Sequence, residues 1–257
     1  IKGLSTTNEN NHIVSTTIKK IGIKNKQKEF VRSNKVTVNK VVGSASTSIS
    51  GLSTSSFYGL RIEDEEISLN VPDVVEVVAV YESLDTSAPV LDKLTFVSGL
   101  SLNTSSILGE RVRGAESGAV AQLATQSSAT EIEIVYLTQN KFQIGESITF
   151  EESSITTNLQ GIIAGLFLDV TSNYTLDDGQ RDEFADYSRI VRKDGATIPS
   201  RRLRVIFDKF TVPANDTGDL FTVDSYPANN FKDVPLLKNN DDPLALSLIH
   251  IWRCRRA

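Results

Sequence analysis

Short runs of alternating apolar and polar residues dominate the chain, and this pattern is typical of half-buried β-strands. In residues 131–137, for example, the alternation places Ile132, Ile134 and Tyr136 on one face. The run 74–81 differs, because it is β-branched and nearly continuous, which predicts a strand buried on both faces. Strands are predicted over residues 35–41, 74–81, 94–97, 131–137, 202–208 and 220–223.

A weak internal repeat lies in the middle of the chain. Residues 108–117 contain an apolar residue, Gly-Glu, a further apolar residue and then Glu-Ser, and residues 144–153 repeat the same order. Glycine turns at this spacing favour short antiparallel strands, which a small barrel or sandwich would close. Gly109 and Gly145 are therefore expected to serve backbone geometry and not phosphate binding, since no Gly-x-Gly-x-x-Gly or P-loop pattern is present.

These patterns predict a mostly β protein with two or three small antiparallel β-sandwich or barrel-like modules in series, and at most one or two short helices. One such helix is expected within residues 177–188. We divide the chain into a basic Ser/Thr/Asn-rich β or linker segment with a truncated start, a β-rich module with the Gly-Glu repeat, a β-rich module with an acidic block, and a disordered tail. These segments cover residues 1–56, 57–163, 164–237 and 238–257.

The last residues need separate treatment. Residues 246–256 resemble the conceptual translation of a transposon-end sequencing adapter, so about 246–257 is expected to be an artefact. This tail contains the only Trp, the only Cys, one of the two His and three Arg. Without it, the formal net charge of −5 becomes three units more negative. The chain also lacks methionine, and we interpret it as an internal fragment of a longer protein.

Few residues remain that could carry nucleophilic or metal chemistry. Without the tail, His12 is the sole histidine, and a nucleophile needs a base within hydrogen-bond reach. No Gly-x-Ser-x-Gly elbow occurs, and a zinc site would need several Cys or His ligands. The sequence therefore predicts a protein that is not an enzyme, with no catalytic residue, no cofactor, no metal site and no small-molecule substrate.

The acidic block at residues 174–187 leaves two chemistries that need only carboxylates. One is glycoside hydrolysis by a carboxylate pair, and the other is an irregular calcium site. Against both stands a simpler interpretation, in which Asp177 and Asp182 cap turns and pair with Arg181, Arg189 or Arg192. The candidate carboxylates are Asp177, Asp178, Asp182, Glu183 and Asp186.

The first 40 residues are basic, which allows either a nucleic-acid or partner patch or the solvated face of a β-ribbon. Phe30 is the one aromatic residue among these lysines, so we favour the ribbon and expect no nucleic-acid partner. No apolar stretch reaches the roughly 18 residues that a membrane helix needs, and no membrane span is expected.

Several stretches together resemble a known class of proteins. Residues 57–69 (Phe57-Tyr58-Gly59 through Leu69), residues 77–84, and the block 176–191 are similar to large virion structural proteins of contractile-tailed phages of marine bacteria and cyanobacteria. Later matching positions lie in Phe207-Asp208 and residues 216–227. The resemblance covers about residues 57–237, and Ala185 departs from it where an aromatic residue is expected beside Phe184.

This resemblance implies a tail, baseplate or tail-fibre component built from β-rich modules, with no catalytic residues to carry over. It implies other tail or baseplate proteins as partners, a homo-oligomer in the virion, and synthesis in the cytoplasm of the bacterial host. The alternatives are a carbohydrate- or receptor-binding adhesin module and, third, a carboxylate glycosidase. Candidate interaction anchors are Phe57, Tyr58, Arg61, Arg181, Tyr187 and Tyr226.

Overall fold

A computed structural model describes residues 19, 21–38, 61–97, 108–179, 186–222 and 225–226. The described residues are mostly β, as predicted, with one 3₁₀ turn at Thr171–Asn173. The strands are β1 (Glu29–Val38), β2 (Glu66–Ser68), β3 (Val74–Ser83), β4 (Asp92–Phe96), β5 (Arg111–Gly114), β6 (Val120–Ser128), β7 (Glu131–Tyr136), β8 (Ser147–Phe150), β9 (Thr156–Ile163), β10 (Phe167–Asp169), β11 (Tyr174–Asp177), β12 (Arg189–Arg192) and β13 (Leu203–Thr211).

Seven of these strands form a β-sandwich. One sheet has the order β1-β13-β3-β10 and the other β11-β12-β2, and every pairing is antiparallel. Alternate residues of the strands point between the two sheets, as the period of two requires. The core between them contains Val36, Val38, Ile62, Ile67, Leu69, Val74, Val80, Val170, Tyr174, Ile190, Leu203, Val205 and Phe207.

The other six strands close into an antiparallel barrel with the order β4-β7-β6-β5-β8-β9. Closure removes the free edges that such short strands would otherwise expose. The barrel interior is filled by side chains: Leu94, Phe96, Val112, Ala119, Ala121, Leu123, Ile132, Ile134, Phe142, Ile148, Phe150 and Leu159.

The barrel is inserted into the sandwich and does not follow it in series. The chain leaves the four-stranded sheet after β3, builds the barrel from β4 to β9, and returns to pair β10 with β3. In the same sheet β1 pairs with β13. Strands from three of the expected segments therefore pair in one sheet, which spans the expected boundaries at residues 56 and 163. The antiparallel hydrogen bonds of this sheet join strands that are distant in sequence.

Strand β3 lies at the centre of this arrangement and confirms the prediction of burial on both faces. Val80 points into the sandwich core, whereas Ala79 and Tyr81 point to the barrel. On the barrel side these residues pack with Ala124 and Val135. One strand thus contributes to two cores, which explains why its sequence does not alternate.

The predicted strands at residues 94–97, 131–137 and 202–208 are confirmed to within two residues, as β4, β7 and part of β13. The predicted strand at residues 220–223 is wrong for its described part, where Leu220 forms only an isolated bridge with Asn25. Strand β1 confirms residues 35–38 of the first predicted strand, and residues 39–41 lie outside the described part. The helix expected within 177–188 falls mostly on residues 180–185, which are also outside it. Asp177 itself ends β11, and residues 186–188 are not helical.

The two copies of the weak sequence repeat are related by a pseudo-two-fold axis inside the barrel. The N–H of Gly109 donates to the Leu123 carbonyl (2.9 Å), and the N–H of Gly145 donates to the Leu159 carbonyl (2.8 Å). Strand pairings obey the same relation: in β5 and β8, Val112 opposes Phe150 and Gly114 opposes Ile148. Both glycines have positive φ (78° and 93°), which confirms their predicted role in backbone geometry.

Removing a ring from the barrel interior should destabilise the protein strongly. Phe150 is fully buried against Phe96, so we expect Phe150→Ala to lower the free energy of unfolding by about 3–5 kcal/mol through lost burial and a residual cavity. Urea denaturation followed by circular dichroism measures this. The control Ile21→Ala truncates an exposed side chain and should cost less than about 0.5 kcal/mol. Equal effects of both changes would contradict the barrel core.

Candidate functional site

The six predicted anchors do not form one site among the described residues. Phe57, Tyr58 and Arg181 lie outside the described part of the chain. Arg61 is exposed, and its Nη2 donates to Asp64 Oδ1 at 3.0 Å. This is a local turn contact, so Arg61 already has a partner within its own loop.

Tyr187 and Tyr226 have different surroundings. Tyr187 is 42% exposed, which is compatible with a surface anchor. Tyr226 packs edge-on against Phe210 with 4.9 Å between ring centroids, and its hydroxyl lies 2.9 Å from Lys28 Nζ. Tyr226 therefore packs against β13 of its own chain.

Lys28 is a buried cation that ties the C-terminal segment to β1. Its Nζ donates to Asp73 Oδ2 at 2.7 Å and lies 4.9 Å from the centroid of the Phe221 ring. Burial alone would lower the pKa of Lys28, but the charge of Asp73 and the contact with Tyr226 outweigh burial and raise the pKa. The ammonium group thus stays charged, with its partners supplied by two separate parts of the chain, the loop at Asp73 and the C-terminal segment.

In the acidic block, carboxylates converge on another buried cation, Arg189. Its Nη1 lies 2.6 Å from Glu66 Oε2, its Nε 3.2 Å from Asp177 Oδ2 and its Nη2 3.3 Å from Asp186 Oδ2. Asp177 also accepts from the Gly179 N–H at 3.0 Å, which closes a turn. The turn-and-ion-pair interpretation is confirmed for Asp177, whereas Asp182 and Glu183 lie outside the described residues.

The glutamates of the Gly-Glu repeat hold the barrel together across its pseudo-two-fold axis. Glu146, in the second repeat, accepts from the N–H groups of Glu116 (3.1 Å) and Ser117 (3.0 Å), in the first repeat. Glu110, in the first repeat, accepts from the N–H groups of Glu152 (2.6 Å) and Ser153, in the second. Each buried carboxylate therefore fixes the turn that follows a strand of the other repeat.

A polar cluster joins the barrel to the four-stranded sheet. The carboxylate of Asp208, on β13, accepts from the Ser33 N–H of β1 (2.8 Å) and from Gln122 Nε2 of β6 (3.0 Å). Ser33 adopts a left-handed conformation (φ 54°) at a register shift of β1, and its hydroxyl donates to the Leu123 carbonyl at 2.7 Å. The shift in β1 thus directs Ser33 toward both modules.

Burial gives Asp208 an unusual protonation equilibrium. Burial raises the pKa of Asp208 to about 6, although hydrogen bonds from Ser33 and Gln122 act in the opposite direction. Glu76 raises this pKa further and Arg32 lowers it. The junction between the modules therefore contains a carboxylate that titrates just below neutral pH.

An exposed apolar strip runs along the outer edge of the four-stranded sheet. Leu168 of β10 is 53% exposed, Leu166 is 52% exposed, and Leu166 forms an isolated antiparallel bridge with Val90. Between the two leucines, Phe167 turns to the opposite face and stacks on Tyr81 at 4.0 Å. We call Val90, Leu166 and Leu168 the outer strip; no described strand covers the outer edge of β10.

Sequence reasoning missed the residues that organise these sites. The repeat pointed to Gly109 and Gly145. The glutamate that follows each glycine, Glu110 and Glu146, belongs to the same repeat and is buried, so it was an equally informative part of the pattern. Asp208 gave no comparable signal, because a charged residue in a strand is ordinarily solvated. Arg189 was among the arginines predicted to pair with Asp177, and the structure confirms that pair.

Among the described residues, no group of three or more His, Cys, Asp or Glu side chains is placed to hold a metal ion. That part of the chain also contains no helix long and apolar enough to cross a membrane. No protein-family model, curated protein or solved structure matches the chain.

Replacing Asp208 should remove a pH-dependent contribution to the stability of the protein. Because its pKa is higher in the folded than in the unfolded chain, its protonation stabilises the fold at acidic pH, and this contribution is lost as the pH rises through about 6. Between pH 7.5 and pH 4.5 the wild type should gain about 2 kcal/mol relative to Asp208→Asn. Urea denaturation across this range measures it, and parallel pH profiles would contradict the assignment.

Glu146 should contribute to the pH dependence of stability in the direction opposite to that of Asp208. Burial raises its pKa, but hydrogen bonds from Ser117, Gln143 and Glu116 outweigh burial and lower the pKa below its ordinary value. Its contribution is therefore present near neutral pH and lost as the pH falls through its folded pKa. We expect Glu146→Gln to cost about 1–3 kcal/mol at pH 7 and to reduce acid sensitivity below pH ~4.5. Exposed Glu65→Gln is the matched control.

Proposed function

We propose that this chain is a structural component of a phage virion, in the tail or baseplate, which acts through contacts between subunits. The resemblance of residues 57–237 to virion structural proteins supports this role. The proposed protein is made in the host cytoplasm, is incorporated in several copies and performs no catalysis.

The observation that carries the proposal is the outer strip. Leu168 on the short edge strand β10 and Leu166 just before it are more than half exposed. Such neighbouring apolar side chains are costly to leave in water and are typical of surfaces that a partner covers. The strip is held on a rigid support, because Phe167 anchors β10 to Tyr81 from the other face. Packing against a neighbouring subunit would bury the leucines without any rearrangement of the sheet.

A single charge in the outer strip should block assembly but leave the fold intact. In a phage that carries this gene, we expect Leu168→Asp to reduce incorporation into purified particles at least tenfold, as measured by mass spectrometry of virions. Ile21→Asp is the control, because Ile21 is 87% exposed and lies outside the strip. Circular dichroism should be unchanged in both variants.

Absence of the wild-type protein from purified virions would overturn the proposal, and equal incorporation of both variants would remove the role of the strip. Binding to particular sugars on a glycan array, by protein that is absent from virions, would favour the adhesin alternative.

A further inference from the structure

The pseudo-two-fold axis gives the barrel two equivalent faces, and the described residues outside the barrel contact only one of them. The occupied face consists of Gly109, the Leu123 carbonyl and Glu152, all of which contact β1. The axis relates these groups to Gly145, the Leu159 carbonyl and Glu116, which we call the open face.

Strand β1 packs directly against the backbone of the occupied face. Arg32 Nη1 donates to the Gly109 carbonyl at 3.3 Å, and the guanidinium forms an ion pair with Glu152. A Cβ added at Gly109 would lie 2.1 Å from Arg32 Cβ, so the strand can approach only because glycine has no side chain. The neighbouring Ser33 hydroxyl donates to the Leu123 carbonyl at 2.7 Å. The occupied face is therefore bound by an arginine that is followed by a small hydroxyl residue.

The open face has the same backbone platform, and no strand of the described part of the chain lies on it. Gly145 and Leu159 repeat the hydrogen bond of Gly109 and Leu123, and the Leu159 N–H donates to the Glu146 carbonyl as that of Leu123 does to Glu110, both at 2.9 Å. A Cβ at Gly145 would meet no atom of the described residues within 4 Å. The adjoining Ile144 is 68% exposed.

Charge on the open face indicates what would bind there. Glu116 corresponds to Glu152, the partner of Arg32, and it is exposed. No ion pair to Glu116 is found in the described part of the chain. Glu146 fixes the turn that carries Glu116, just as Glu110 fixes the turn that carries Glu152. The acceptor is thus held in place before any cation reaches it.

We propose that the open face binds the edge strand of another β-module, a strand in which an arginine precedes a small hydroxyl residue. The arginine pairs with Glu116 and the Gly145 carbonyl, and the hydroxyl donates to the Leu159 carbonyl. The occupant is a different module and not the β1 of a second copy, because β1 is already docked on the barrel of its own chain. This inference rests on the proposed role in subunit assembly and assigns it a second contact.

The probe is a peptide that contains β1, the strand that binds the occupied face. A peptide of residues 27–38, labelled with a fluorophore, is titrated with the full chain and binding is followed by anisotropy. We expect one peptide per chain. Glu116→Lys should weaken binding at least tenfold, because the peptide's arginine loses its partner. The pseudo-equivalent Glu152→Lys should leave binding in place, since Glu152 lies on the other face.

A charge exchange provides the confirming experiment. A peptide with glutamate in place of Arg32 should not bind the wild type but should bind Glu116→Arg. Circular dichroism and thermal unfolding check that each variant is folded, which is expected because Glu116 is exposed.

Two results would overturn the inference. Loss of binding in Glu152→Lys but not in Glu116→Lys would show that the peptide merely displaces β1. No binding to the wild type, or equal binding to the wild type and Glu116→Lys, would also exclude the open face. These outcomes are separate from the virion experiment, since a protein found in virions can lack this contact and a protein absent from them can still bind the peptide.

Discussion

The structure depends on the pairing of β3 with β13, because this pair is covered on both faces. Val80 and Val205 point into the sandwich core, while Ala79 and Ile206 point to the barrel. The register places Val80 opposite Val205 and Ala79 opposite Ile206, so each face is continuous across the two strands. Burial of apolar area on both sides stabilises two modules with one pair of strands, and the modules cannot separate without exposing Ala79 and Ile206 to water.

Charged groups inside the protein are stabilised by partners that come from distant parts of the chain. Lys28 and Arg189 are surrounded by acceptors, whereas Asp208 and Glu146 are surrounded by donors. A buried charge without such partners would be costly, so these clusters also define which segments must meet. Asp208 differs from Glu146 in that burial outweighs its hydrogen bonds, and the two carboxylates consequently respond to acid with opposite signs.

The barrel shows how a repeat becomes asymmetric in use. Its two halves share the glycine turns and the buried glutamates, yet one face receives β1 and the other contacts no further strand among the described residues. The difference arises outside the repeat, from the bulge in β1 that presents Arg32 and Ser33 together.

Local pattern in the sequence determined the strands. The alternation at 131–137 indicates a strand buried on one face, and the β-branched run at 74–81 indicates a strand buried on both faces. It also determined the two glycine turns, because only glycine takes a positive φ there without strain. Tertiary structure alone decided that residues 29–38 pair with 203–211 and that the barrel is inserted, since antiparallel pairing over such separations leaves no local trace. Likewise, Asp208 and Glu152 read as ordinary surface acids, and only the fold brings Ser33 and Arg32 to them.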